Sequence, residues 1–188
     1  SVVLLAVLLV VLPAMWIGRR VRRLSRDSQD RVAFLEVTAG ADGAPGVWRW
    51  GNLVGTGADP FVGRFTPDGR HYLTADWGRD FAAPTIEGRL PTKRSSVSVI
   101  RLGDAGAGSE AVHVRVGSAE ADRSSEGLAV SPDGRLVATV NMRETAVLPT
   151  QPRFVREASV TLMRFDPDRS SLTRVADYPF EGVLPEGA

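Results

Sequence analysis

Cysteine is absent from all 188 residues, which excludes disulfides, thiolate nucleophiles and Cys-ligated zinc or iron–sulfur sites. That absence fits either side of a bacterial membrane. Lysine is almost missing too: Lys93 is the single lysine among 23 basic residues, an imbalance of coding usage and not a phosphate-recognition pattern. No charge of either sign dominates. With 22 acidic residues against the 23 basic ones the net charge is +1, which gives no electrostatic reason to expect nucleic acid or another polyanion as partner. His71 and His113 are the only histidines, at a turn exit and on an outer strand, and neither has a partner at metal-ligand spacing. With no G-x-S-x-G elbow, a Ser-His-Asp triad is equally unsupported. The glycine-rich stretch from Gly103 to Gly108 lies between two strand-like runs and not ahead of a helix, so it reads as a connection and not as a phosphate loop. What is present, 43% apolar and 24% charged residues, is enough for a globular core.

One long hydrophobic run stands out. From Val2 to Ile17 only Pro13 falls outside the apolar set, and Arg19, Arg20, Arg22 and Arg23 follow. As a helix it would span about 24 Å at 1.5 Å per residue, short of the roughly 30 Å hydrocarbon core unless residues ahead of Ser1 complete it. Trp16 suits the interface, and the arginines favour a cytoplasmic side by the positive-inside rule, with an extracytoplasmic placement left open. A cleaved signal would carry its arginines ahead of the run and a small-residue cleavage site after it. The expectation is a membrane segment with a basic linker over 1–30, its alternatives being a buried strand pair or a fragment artefact.

Comparison of the chain with itself is more informative. Phe65-Thr66-Pro67-Asp68-Gly69-Arg70 recurs 65 residues later as Val130-Ser131-Pro132-Asp133-Gly134-Arg135, and each copy leads into an apolar run, 72–76 and 137–141. Pro presets φ, Asp bonds its own backbone and Gly supplies positive φ, so each copy reads as strand, tight turn, strand. A second unit follows: Val97 to Leu102 matches Val160 to Phe165 and, less closely, Val32 to Val37. A fourth run completes each repeat at Val47 to Trp50, Val112 to Val116 and Leu172 to Ala176, with period-2 alternation in Val112-His113-Val114-Arg115-Val116.

Four short antiparallel strands at constant spacing are the arrangement of a β-propeller blade. The expected fold is all-β over 31–188: the outer half of one blade, two whole blades and the opening of another at Leu184-Pro185-Glu186-Gly187. An array of this size leaves its terminal faces unburied, so the expectation is either the missing blades of the same chain as partner or an artificial truncation. The connections 78–95 and 143–157 are long, lie over one face and are the expected carriers of function. Trp48, Trp50 and Trp77 are expected to pack between blades, with a sugar-stacking surface as the alternative.

The stretches GLAVSPDGRLVATVNMR (127–143), FTPDGRHYLTADWG (65–78) and ASVTLMRFDPDRSSLTRVADYPFEGVLPEG (158–187) resemble the lactonase-like seven-bladed β-propellers, related to 6-phosphogluconolactonase and the Tyr-Val-Thr-Asn repeat proteins. The resemblance implies ligands at the channel mouth and a lactone hydrolase. Where family members often carry an Arg-His pair before the inner strand, this chain has Asp59-Pro60-Phe61, Ser125-Glu126-Gly127 and Pro185-Glu186-Gly187. Glu126 and Glu186 fall at equivalent positions of the repeat, so ring closure would bring two carboxylates to one level of the channel. They would act as general base on water or hold a divalent cation that polarises a lactone carbonyl. Arg143 matches the family's Asn-Arg position and would stabilise the oxyanion. The competing expectation is a non-catalytic propeller that binds a small-molecule or protein ligand, tethered to a membrane through residues 1–17.

Overall fold

A computed structural model describes residues 30–38, 47–104 and 111–185 of the chain. The apolar run 2–17 and Glu186 lie outside the described residues. Within them no helix is long and apolar enough to cross a membrane.

The described chain is almost entirely antiparallel β-structure. A two-stranded sheet pairs β1 (Arg31–Thr38) with β2 (Val47–Gly55). A four-stranded meander follows, β3 (Pro60–Phe65), β4 (His71–Asp76), β5 (Ser96–Arg101) and β6 (Val114–Glu120), each strand bonded to the next in sequence. The same order repeats in β7 (Ser125–Val130), β8 (Leu136–Asn141), β9 (Glu157–Asp166) and β10 (Ser171–Glu181). Helix is confined to α1 (Ile86–Arg89), capped by the Thr85 hydroxyl accepting from Gly88 N, and a 3₁₀ turn over Arg143–Ala146.

The two hairpin turns are built alike because their sequences are alike. Thr66 Oγ1 donates to Asp68 Oδ1 at 2.6 Å and Ser131 Oγ to Asp133 Oδ1 at 2.5 Å, while Gly69 and Gly134 take φ of 68° and 71°. The Thr66 hydroxyl is the largest influence on the Asp68 carboxyl and holds it down at about 2, with Arg70 adding to the effect. Each turn is thus pinned by the side chain that the Pro-Asp-Gly motif supplies.

The two meanders pack face to face with like strands adjacent, β3 beside β7 and β6 beside β10. Leu73, Ala75, Val97 and Val99 of the first sheet meet Leu128, Val137, Met163, Phe165 and Leu172 of the second, all buried. The first sheet's other face is covered by the β1–β2 pair through Phe34, Val54 and Ile100, with Tyr72 and Val32 at the margin. Trp77 is buried, but its ring packs edge-to-face on Phe61 of its own sheet, and Trp50, on the short two-stranded sheet, is 73% exposed.

Candidate functional site

The expected long connections, β4 to β5 and β8 to β9, leave the same end of their sheets, together with the short links into β3 and β7. Local backbone there repeats. Asp59, Ser124 and Leu184 each take a left-handed φ, 55°, 59° and 50°. Trp77 N donates to Asp59 O at 2.8 Å, and Met142 N to Ser124 O at 2.9 Å. One residue on, Gly78 N donates to Ala58 O and Arg143 N to Arg123 O, and both donors are left-handed, with φ of 89° and 53°. Arginine therefore occupies a position that the first sheet fills with glycine. A left-handed backbone costs a residue with a Cβ about 1–2 kcal/mol, and such strain is concentrated at functional sites.

Arg143 lines a polar cleft of about 670 Å³ together with Lys93, Arg94, Glu120, Asp122 and Arg123. Its Nε lies 3.5 Å from Asp122 Oδ2 and its Nη1 3.5 Å from Glu157 Oε2. Arg94 reaches three carboxylates, Asp177 at 2.5 Å, Glu120 at 3.8 Å and Asp122 at 3.9 Å. Burial alone would push the Asp177 carboxyl up, but hydrogen bonds from Arg174, Arg94 and Thr161 outweigh it and hold the group at about 2. Arg123 is paired with Glu144 at 2.8 Å.

A buried hydrogen-bond network supports the cleft from below. Asn141, fully buried, donates to Ser159 Oγ at 3.2 Å and Thr161 Oγ1 at 3.0 Å and accepts from Ser125 Oγ and Thr139 Oγ1. Ser159 Oγ in turn donates to Asp122 Oδ2 at 2.9 Å, and Asp122 N donates to Thr161 Oγ1 at 2.9 Å. A fully satisfied network of this kind rigidifies what it holds, here the carboxylate that faces Arg143.

The same end of the first sheet carries different chemistry. Asp76 stands at the repeat position of Asn141 and Gly57 at that of Asp122. Asp76 Oδ2 accepts from Ser96 Oγ, Ser98 Oγ and Gly57 N, while Oδ1 has no hydrogen-bond partner. Burial pushes this carboxyl up to about 6 against those bonds. Above it Arg79 pairs with Asp59 at 2.5 Å and stacks on Trp77, Phe81 and Phe61, its guanidinium carbon 4.0, 4.8 and 5.5 Å from the ring centroids.

Of the residues singled out from sequence, Arg143 is in the cleft. Glu126 sits at the same end, in the bulge of β7 between Ser125, paired with Asn141, and Gly127, paired with Val140. A bulge re-aims the inserted side chain. Phe61 occupies the corresponding bulge of β3, between Pro60 and Val62. Glu126 is not among the residues lining the cleft. Among the described residues no three His, Asp or Glu side chains converge as a metal site. Sequence reasoning missed Arg94, Glu120, Asp122 and Arg123. The 65-residue shift that places Asp122 on Gly57 was the available signal for Asp122.

No family model matches the chain, and no curated protein is significantly similar to it. Solved structures do match. A functionally unknown protein from Desulfotomaculum acetoxidans DSM 771 superposes with a TM-score of 0.55 at 16% identity, over 85% of this chain and 38% of its own. A putative 6-phosphogluconolactonase from Bacteroides uniformis ATCC 8492 superposes with a TM-score of 0.53 at 18% identity, over 85% of this chain and 37% of its own. The chain shares the fold of these proteins and spans somewhat more than a third of their length.

Proposed function

We propose that residues 31–188 form part of a lactonase-like β-propeller, the two meanders being consecutive blades and β1–β2 the outer half of a preceding one, and that the protein hydrolyses a small lactone. The observation that carries this reading is Arg143, held in a left-handed backbone at the mouth of a charged cleft, where the other sheet has glycine. The fold shared with a putative 6-phosphogluconolactonase supports it.

In this reading Arg143 donates to the carbonyl oxygen as it becomes an oxyanion. A carboxylate from Glu126 or Glu186 takes a proton from water while the water oxygen bonds to the carbonyl carbon. The ring C–O bond then breaks as the protonated carboxyl returns that proton to the ring oxygen, leaving a hydroxy acid. If a divalent cation takes part, the same two carboxylates are its proposed ligands. The test is turnover on a panel of lactones, with and without chelator. Glu126→Gln is expected to lower kcat at least about 100-fold. Turnover on no lactone, or turnover unchanged in Glu126→Gln, removes the catalytic assignment.

A second reading, a non-catalytic ligand- or protein-binding propeller, is favoured by one observation: Glu120 and Asp122 in the cleft are both engaged by arginines and are poorly placed to act as bases. In either reading residues 1–17 are the proposed tether. A chain beginning at Arg31 is then expected in the soluble fraction and the whole chain with membranes. Identical fractionation of the two would remove the tether.

A further inference from the structure

At the opposite end of the sheets, the turn end, a second cleft of about 490 Å³ lies between the two meanders. His71, at the start of β4, and Ser170, in the turn between β9 and β10, both line it although they are 99 residues apart. His71 Nε2 lies 2.8 Å from Ser170 Oγ. The imidazole is 2% exposed, its ring edge-to-face on Phe165 at 5.2 Å, and its Nδ1 has no hydrogen-bond partner. Ser170 is partly exposed in the cleft, and its backbone is left-handed, φ 52°. A hydroxyl within hydrogen-bond reach of an imidazole, on the wall of an open cleft, is the nucleophile-and-base pair of acyl transfer, here without a third group on Nδ1 to orient the base.

We propose that Ser170 is an acylatable nucleophile and His71 its base, forming a second, esterase-like site distinct from the cleft around Arg143. Ser170 Oγ bonds to the acyl carbon of a small ester as its proton passes to His71 Nε2. The C–O bond to the alcohol breaks and the imidazolium returns the proton to the leaving alkoxide. Water then hydrolyses the acyl-serine by the same route and restores the hydroxyl. Burial, the largest influence on His71, lowers its proton affinity and keeps the imidazole in the neutral form that a base requires. Arg70 in the cleft wall is already engaged by Asp68 at 2.7 Å and Asp168 at 3.4 Å. Arg101 and Asp104 also line the cleft, so its wall carries both signs of charge. The substrate class is a small ester.

The test treats the whole chain with a fluorophosphonate, which phosphonylates an activated serine with loss of fluoride, and reads the adduct by mass. The expected result is one adduct at Ser170, absent in Ser170→Ala and formed about 100-fold more slowly in His71→Asn. Glu126→Gln is expected to label at the wild-type rate, which separates this site from the lactone site. His71 is buried and its replacement risks the fold, so wild-type chain unfolded in urea serves as a second arm and is expected to lose labelling. No adduct on the folded chain, an adduct that persists in Ser170→Ala, a wild-type rate in folded His71→Asn, or equal labelling of unfolded chain overturns the proposal.

Discussion

Among the described residues, the first four-stranded sheet is covered on both faces and the second on one. Leu73, Ala75, Val97 and Val99 are fully buried under the second sheet. At the same repeat positions in the second sheet, Ala138, Val140, Val160 and Leu162 are only half-buried, and Leu136, Tyr178 and Phe180 beside them are exposed at 42%, 52% and 37%. The residue types are equally apolar, so chemistry does not account for the difference. Cover does. A sheet whose strands are apolar on both faces buries both only where a neighbour lies on each side.

The largest effect that would break this comparison is in the core. Leu73→Ala is expected to cost about 2–5 kcal/mol and Leu162→Ala less than about 1.5 kcal/mol, read as shifts in urea midpoint. Equal losses would mean that the outer face is covered in solution.

The two buried polar centres sharpen it next. Asp76 has its folded proton affinity raised, to about 6 from the ordinary 3.8, so folding takes up a proton. Its contribution is fully present below about pH 4 and lost as pH rises through 6, on the order of 3 kcal/mol by linkage. Asn141, at the equivalent position, has no such dependence. Unfolding free energies at pH 4.5 and 7.5 are thus expected to differ less in Asp76→Asn than in wild type, and an unchanged difference would show that Asp76 is not the group responsible.

The smallest expected change in stability is at the third pair, Gly78 and Arg143. Arg143→Gly relieves a left-handed backbone but removes the contacts to Asp122 and Glu157, so stability is expected to move by no more than about 1 kcal/mol. Lactone turnover, by contrast, is expected to vanish. Retained turnover would shift the proposed site away from this cleft.

Much of the fold was legible because local chemistry repeats with it. Pro-Asp-Gly fixes a turn by its own bonds, and the register of Val97 on Val160 follows from the apolar runs that each turn launches. The strand β6 starts at Val114 and not at Val112, because His113 N donates to Asn52 Oδ1 and Asn52 Nδ2 to His113 O across 61 residues, a tie that no local pattern contains. The site was half legible. Arg143 was found as a motif position, yet its left-handed backbone shows only when it is set beside Gly78. Asp122 is marked only by the glycine it replaces in the repeat. The pairing of His71 with Ser170 lies beyond sequence reading, since a hairpin turn of one sheet meets a strand of the other only after both sheets have packed.

The absence of cysteine allows a direct measurement of the difference in cover, because a single introduced thiol is the only one in the chain. Val97→Cys and Val160→Cys place it at one repeat position of each sheet, and the rate of labelling by a thiol reagent under native conditions reports how often each is open. The expected result is labelling at position 160 on the order of 100-fold faster than at position 97. Equal rates would contradict the account, since the two faces would then be equally covered.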